Sequence, residues 1–219
     1  MTELALPAKA YLLACDPDRA RLRDRQRAGY LVRAAGLTDL LLRKRLVDYD
    51  GEARSVPGGT TGDDVLDEML GRILTDRPHQ WKSLVRKDWR GALHAVEEQL
   101  AVARIIRADR GRALGLFPRT RVMILDTATH DRLHALVDNA LRGGAAPARL
   151  DPADAALTAL VAAVELKPVV TRRDRHRHRA RLTELEERGG AAVPALRKVF
   201  RELRSARHAA AANAHTTGS

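Results

Sequence analysis

Apolar side chains recur at steps of three and four along most of this chain, the spacing of one face of a helix. The clearest case runs through Val65, Leu66, Met69, Leu70, Ile73 and Leu74, with Thr61 or Asp63 placed to cap it and acids in its first turn. That pattern predicts an amphipathic core helix. A second helix is expected from Tyr30 to about Leu46, through Val32, Leu37, Leu40 and Leu41, and a third from "WKSLVRKDW" onward through Leu93, Val96, Leu100 and Ala103. Asp126 or Thr127 opens a fourth, carrying Leu133, Leu136, Val137 and Leu141, which "RGGAAPAR" ends. Asp151 followed by Pro152 is a cap with proline at the first helical position, and the residues beyond are apolar on every side except at Asp154. A helix apolar all round belongs in the middle of a bundle. A strongly basic helix follows Pro168 as far as Gly189, and a last helix is striped by Val193, Leu196, Val199, Phe200 and Leu203.

The period changes in three places. "LPAKAYLLACDPDR" reads as a short helix or a strand stopped by Asp-Pro, and "DYDGEARSVPGGTTG" as a loop by its Gly, Pro and Ser content. "ARIIRADRGRALGLFPRTRVMIL" reads as two short strands around a turn, which predicts a β-hairpin within a helical protein. Its turn carries Leu114, Leu116 and Phe117 between arginines. The fold class is therefore mostly α, a compact helical domain around a buried apolar bundle, with a projecting β-hairpin. One domain is expected over residues 1–208, followed by a frayed or disordered tail over 209–219.

Composition narrows the core more than the fold. Apolar residues make up 45% of the 219 and aromatics only 3%, so Leu, Ala, Val and Ile must fill the interior. The formal charge is +11, and residues 172–208 hold 12 Lys and Arg against 5 Asp and Glu. Such an excess favours anionic partners: nucleic acid, acidic lipid surfaces or phosphorylated ligands. Arginines at 19, 21, 23, 25 and 27 read as a solvated surface. The single Cys15 sits in the apolar run "AYLLAC", is expected as a small buried hydrophobe and agrees with a reducing cytoplasm. No signal peptide opens the chain, and "AALTALVAAV" is well short of the ~20 residues of a spanning helix. Membrane contact would be peripheral, from the cytoplasmic side.

Catalytic chemistry finds little support. There is no phosphate-binding glycine loop, nucleophile elbow or paired-cysteine metal site, and no cofactor or metal is expected. His176 and His178 stand two apart, which on a helix points them to different faces. Asp126, His130, Asp131 and His134 read as exposed side chains over a helix start. What remains is the basic surface and the apolar hairpin. Arginine forks match phosphate oxygens, and a loop tip entering an interfacial layer would gain roughly 1.5–3 kcal/mol for each buried Leu or Phe. The same tip would equally stay dry against the body of the protein or a second subunit.

Four stretches together, "LVRAAGLTDLLLRKRLV", "TTGDDVLDEML", "LGLFPRTR" and "DPADAALTALVAAVEL", resemble the Golgi phosphoprotein 3 family, particularly its short bacterial members, over about Leu4 to Phe200. The resemblance implies a non-catalytic cytosolic adaptor that binds phosphatidylinositol 4-phosphate through one tryptophan and three arginines and holds client proteins. It also implies a hairpin used for membrane contact and self-association. Carried over by position, Arg33 and Arg90 match two of the arginines, whereas Asp24 and Leu93 stand at the tryptophan and the third arginine. What the resemblance implies is headgroup binding by Arg33 and Arg90, a looser preference for anionic lipid supplied by Arg23, Arg25 and Arg86, and membrane or subunit contact by Leu114, Leu116 and Phe117. Two other readings stand beside it: nucleic-acid binding through the basic helix from Arg172 to Arg181, supported by charge alone, and a protein-interaction module that dimerises through the hairpin.

Overall fold

The computed structural model describes residues 3–73, 79–113, 117–166 and 169–216. The chain opens with helix α1 (Leu6–Ala14), whose nine residues are all buried, so the first run is a helix. Strands β1 (Cys15–Asp16) and β2 (Arg21–Leu22) form a short antiparallel pair. Helix α2 (Arg25–Leu42) starts five residues before the expected position, because the Asp24 carboxylate accepts the backbone N–H of Arg27 at 3.0 Å and caps it there. It also ends earlier, where Lys44 turns the chain with φ +56° and Leu46 enters a sheet.

The stretch read as a loop forms a hairpin instead. Strands β3 (Leu46–Tyr49) and β4 (Glu52–Ser55) pair antiparallel from Leu46 opposite Ser55 to Tyr49 opposite Glu52. Asp50 and Gly51 turn between them with φ of +52° and +82°. Asp-Gly between short strands is a hairpin turn signal that the Gly and Pro content of the following residues masks. Helix α3 (Asp64–Gly71) is capped by the Asp63 carboxylate at 3.0 Å from the N–H of Leu66, and it buries Val65, Leu66, Met69 and Leu70; Leu74 lies outside the described residues.

Strand β5 (His79–Gln80) adds to β4 and leads into α4 (Trp81–Arg86) and α5 (Trp89–Val102). These are two helices, not one. Asp88 takes the left-handed conformation at φ +51° and breaks the run. The hairpin follows as β6 (Ile106–Ala113) and β7 (Phe117–Ile124), in register from Ile106 opposite Ile124 to Ala113 opposite Phe117. Its base is rooted in the body: Ile106 and Val122 are buried, and the N–H of Val122 donates to the Ala20 carbonyl at 2.8 Å.

Helix α6 (Thr127–Arg142) is capped by Asp126, and α7 (Pro152–Ala163) by Asp151. Every residue of α7 from Ala155 to Ala163 is buried, and α1, α2, α6, α9 and α10 pack around it. The uniformly apolar stretch is thus the axis of the bundle. The basic segment divides into α8 (Arg172–Arg177) and α9 (Arg179–Gly189), with His178 off helical geometry at φ −107°, ψ 28° between them. Helix α10 (Ala192–Thr216) is the last element and continues into the residues expected as a tail, of which 217–219 lie outside the described residues. The protein is mostly α, with only small antiparallel sheets among the described residues.

Candidate anion site

Arg33 lies on the inner face of α2 at 2% exposure, the largest fully buried side chain among the described residues. Its Nε–H donates to the Leu84 carbonyl at 3.1 Å, the sole hydrogen bond of the guanidinium among the described residues. Burial, reinforced by the nearby Arg72 cation, pushes its pKa down to about 10. Arg33 has no carboxylate partner among the described residues. Arg72 in turn pairs with Glu68 and Asp88, and all four line one narrow cleft with Gly91. Free space in the cleft is only about 10 Å³, with the Arg72–Asp88 pair among its lining.

Arg90 stands beside this cleft on the first turn of α5, exposed, with its guanidinium 4.5 Å from the centre of the Trp89 ring. Trp89 packs against Tyr30 at 5.6 Å, and Tyr30 against Phe200 at 6.1 Å. Arg27 lies 5.5 Å from the Phe200 ring. Gly29 permits this stack, because a β-carbon there would run into the Trp89 ring. Three of the seven Phe, Trp and Tyr residues of the chain therefore gather between two arginines. Sequence reasoning missed Trp89 as part of the site; its signal was the Trp-Arg pair that opens α5.

The two residues that depart from the resemblance have structural reasons. Asp24 is the N-cap of α2, and Leu93 is a core side chain at 1% exposure. Leu114 and Leu116 fall outside the described residues. Phe117 begins β7, paired with Ala113.

The arginine comb lies at the surface as expected, with Arg19, Arg21, Arg23 and Arg25 exposed, but several of its cations are already paired. Arg23 pairs with buried Asp16 at 3.0 Å and Arg25 with buried Glu97 at 3.3 Å, while Arg27 donates to the Val164 carbonyl at 2.8 Å. Arg86 pairs with Glu202 at 3.3 Å. His130 is buried, not exposed: its ring lies 4.5 Å from that of His134, and its Nε2 is buried without a partner among the described residues. Burial and the neighbouring His130 lower the His134 pKa. No group of three or more His, Cys, Asp or Glu able to hold a metal occurs among the described residues. No described helix is long and apolar enough to cross a membrane.

Comparison with known proteins adds one match. The profile of the family described as Golgi phosphoprotein 3 (GPP34) matches residues 6–203, which is most of the chain. No curated protein sequence matches it.

Proposed function

The chain belongs to the Golgi phosphoprotein 3 family, and from that premise we propose that it is a non-catalytic peripheral membrane protein that binds anionic lipid headgroups, of the phosphoinositide class, at the face joining α2 and α5. The observation that carries this reading is Arg33: a guanidinium at 2% exposure with one carbonyl acceptor and no carboxylate paired to it directly among the described residues, the nearby Glu68 and Asp88 being paired with Arg72. Removing a cation from water costs several kcal/mol unless an anion answers it. Arg72 beside it adds a second cation, so an entering phosphate would meet two forks at once.

The cleft is too narrow to admit a phosphate as it stands. Entry therefore requires Asp88 to leave Arg72, with phosphate oxygens taking its place. Arg90, held over Trp89, supplies the outer contact. The indole lends an amphipathic ring at the same edge, a residue type that favours membrane interfaces. In this reading Leu114, Leu116 and Phe117 insert into the interfacial layer.

Co-sedimentation with vesicles tests this. Binding to vesicles of phosphatidylcholine with an anionic lipid is expected at low salt, absent with phosphatidylcholine alone, and reduced by Arg90→Ala and by Leu116→Asp with Phe117→Asp. Binding that ignores all of these substitutions would refute the reading. Comparing phosphatidylinositol 4-phosphate with phosphatidylglycerol in the same assay sets the headgroup preference.

A further inference from the structure

The basic helices after α7 present their arginines in two different ways. On one side the cations hold the fold together: Arg181 donates to the Ala140 and Ala145 carbonyls, Arg188 to the Leu150 carbonyl, and Arg142 reaches back to Asp174 at 3.0 Å. On the other side a cleft of about 370 Å³ opens between the end of α7, α8, α9 and the start of α10. Arg172, Arg175, Arg179, Arg197, His176 and Glu186 line it.

Four guanidiniums thus share one cleft with a single lining carboxylate. Arg197 is paired with that carboxylate, Glu186, and Arg175 with Glu165 at the edge. Arg172 and Arg179 are exposed, and their guanidiniums make no hydrogen bond or ion pair among the described residues. After pairing, two positive charges are left facing one concave space. Arg172 also lines a neighbouring cleft of about 410 Å³, where Arg23 and Arg27 are accompanied by Asp24 and Glu165.

We propose that this cleft is a second anion site, separate from the α2–α5 face, and that it takes a phosphomonoester or pyrophosphate group with Arg172 and Arg179 as its clamps. The charge balance selects the ligand: two unpaired forks match a dianion, and a single carboxylate would leave one of them unanswered. Arginine offers paired, planar donors that fit phosphate oxygens, and each such charge-assisted bond is strong. Arg175 and Arg197, held in place by their carboxylates, fix the walls without adding net charge. Among the described residues no Trp, Tyr or Phe lines the cleft, which gives the bases of a nucleic acid no platform there on which to stack. Its volume is in the range of small-ligand sites.

The test is a calorimetric titration of the full chain with pyrophosphate, repeated on Arg172→Gln with Arg179→Gln and on Arg33→Met. Both clamp residues are exposed, so their double variant is expected to keep the circular dichroism and melting of the parent. Saturable binding, weakened about tenfold or more in the double variant and still present in Arg33→Met, is the expected result. Loss in Arg33→Met alone would place the phosphate at the α2–α5 face and overturn the second site. Vesicles carrying phosphatidic acid, in parallel, tell a lipid phosphomonoester from a free one: dependence on Arg172 and Arg179 there assigns the lipid, and dependence in the pyrophosphate titration only assigns the soluble group. Absence of saturable binding in both arms, or binding confined to duplex DNA and growing with its length, would overturn the proposal.

Discussion

The Tyr11 hydroxyl donates to Glu97 Oε2 at 2.8 Å, joining α1 to α5 inside the core. Glu97 is 1% exposed, and Arg25 reaches the same oxygen at 3.3 Å from the edge. A buried carboxylate is thereby answered by one neutral and one charged donor. Tyr11→Phe removes the neutral donor and keeps the Arg25 pair. The expected cost is about 1–3 kcal/mol, read from urea unfolding. Burial, with Cys15 and Glu97 nearby, pushes the Tyr11 hydroxyl well above its ordinary range, so tyrosinate absorbance from this residue should appear only as the protein unfolds in alkali.

Gly29→Ala places a methyl where the Trp89 ring lies. The ring must move, and with it the start of α5 and the Arg90 stack. Overpacking of this kind typically costs about 1–3 kcal/mol. A shift in tryptophan emission together with weaker vesicle binding is expected; unchanged emission would mean that α2 and α5 separate without disturbing the indole.

Arg33→Met should separate stability from binding. Replacing a buried charge by an apolar side chain of similar length is often neutral or stabilising, and what is lost is one hydrogen bond to the Leu84 carbonyl, about 1 kcal/mol. The melting temperature is expected to stay close to that of the parent while binding to anionic vesicles falls. A protein that unfolds on this substitution would show Arg33 to be a structural cation.

Asp174 gives the chain an acid-sensitive joint. The Thr171 hydroxyl at 2.6 Å, the Thr171 N–H at 2.9 Å and Arg142 at 3.0 Å hold its carboxyl down at about 2. An unperturbed aspartate titrates near 3.9. Since the folded value is the lower one, the stabilisation is full above about pH 4 and is lost as pH falls toward about 2. Asp174→Asn should cost about 0.5–2 kcal/mol at neutral pH through the lost cap, and flatten the acid limb of stability between those two pH values. Thermal melts across that range check both parts.

Helix starts were the most legible feature of the sequence. Asp63, Asp126 and Asp151 each cap a helix from two or three residues away, and such short loops of interaction are complete within the local sequence. The buried axis α7 was legible for a related reason: a segment apolar on all sides has no face to offer to water. The hairpin β6–β7 followed from its change of period and its glycines. Helix breaks at Asp88 and His178 were not legible, because the surrounding residues are good helix formers and the backbone departs from helical geometry only where neighbouring elements dock.

The site divides the same way. Sequence alone determined that the chain is basic and that the basic residues cluster toward its end. Tertiary structure decided which of those cations are already engaged. Arg25 finds its carboxylate 72 residues away and Arg27 its carbonyl 137 residues away, while Arg33 meets Leu84 from 51 residues away. Charge is a property of composition, but whether a charge is answered depends on what the fold brings beside it. Only the packed helices could place Trp89 against Gly29, bury Arg33 without a counter-ion among the described residues, and leave Arg172 and Arg179 unpaired over a cleft.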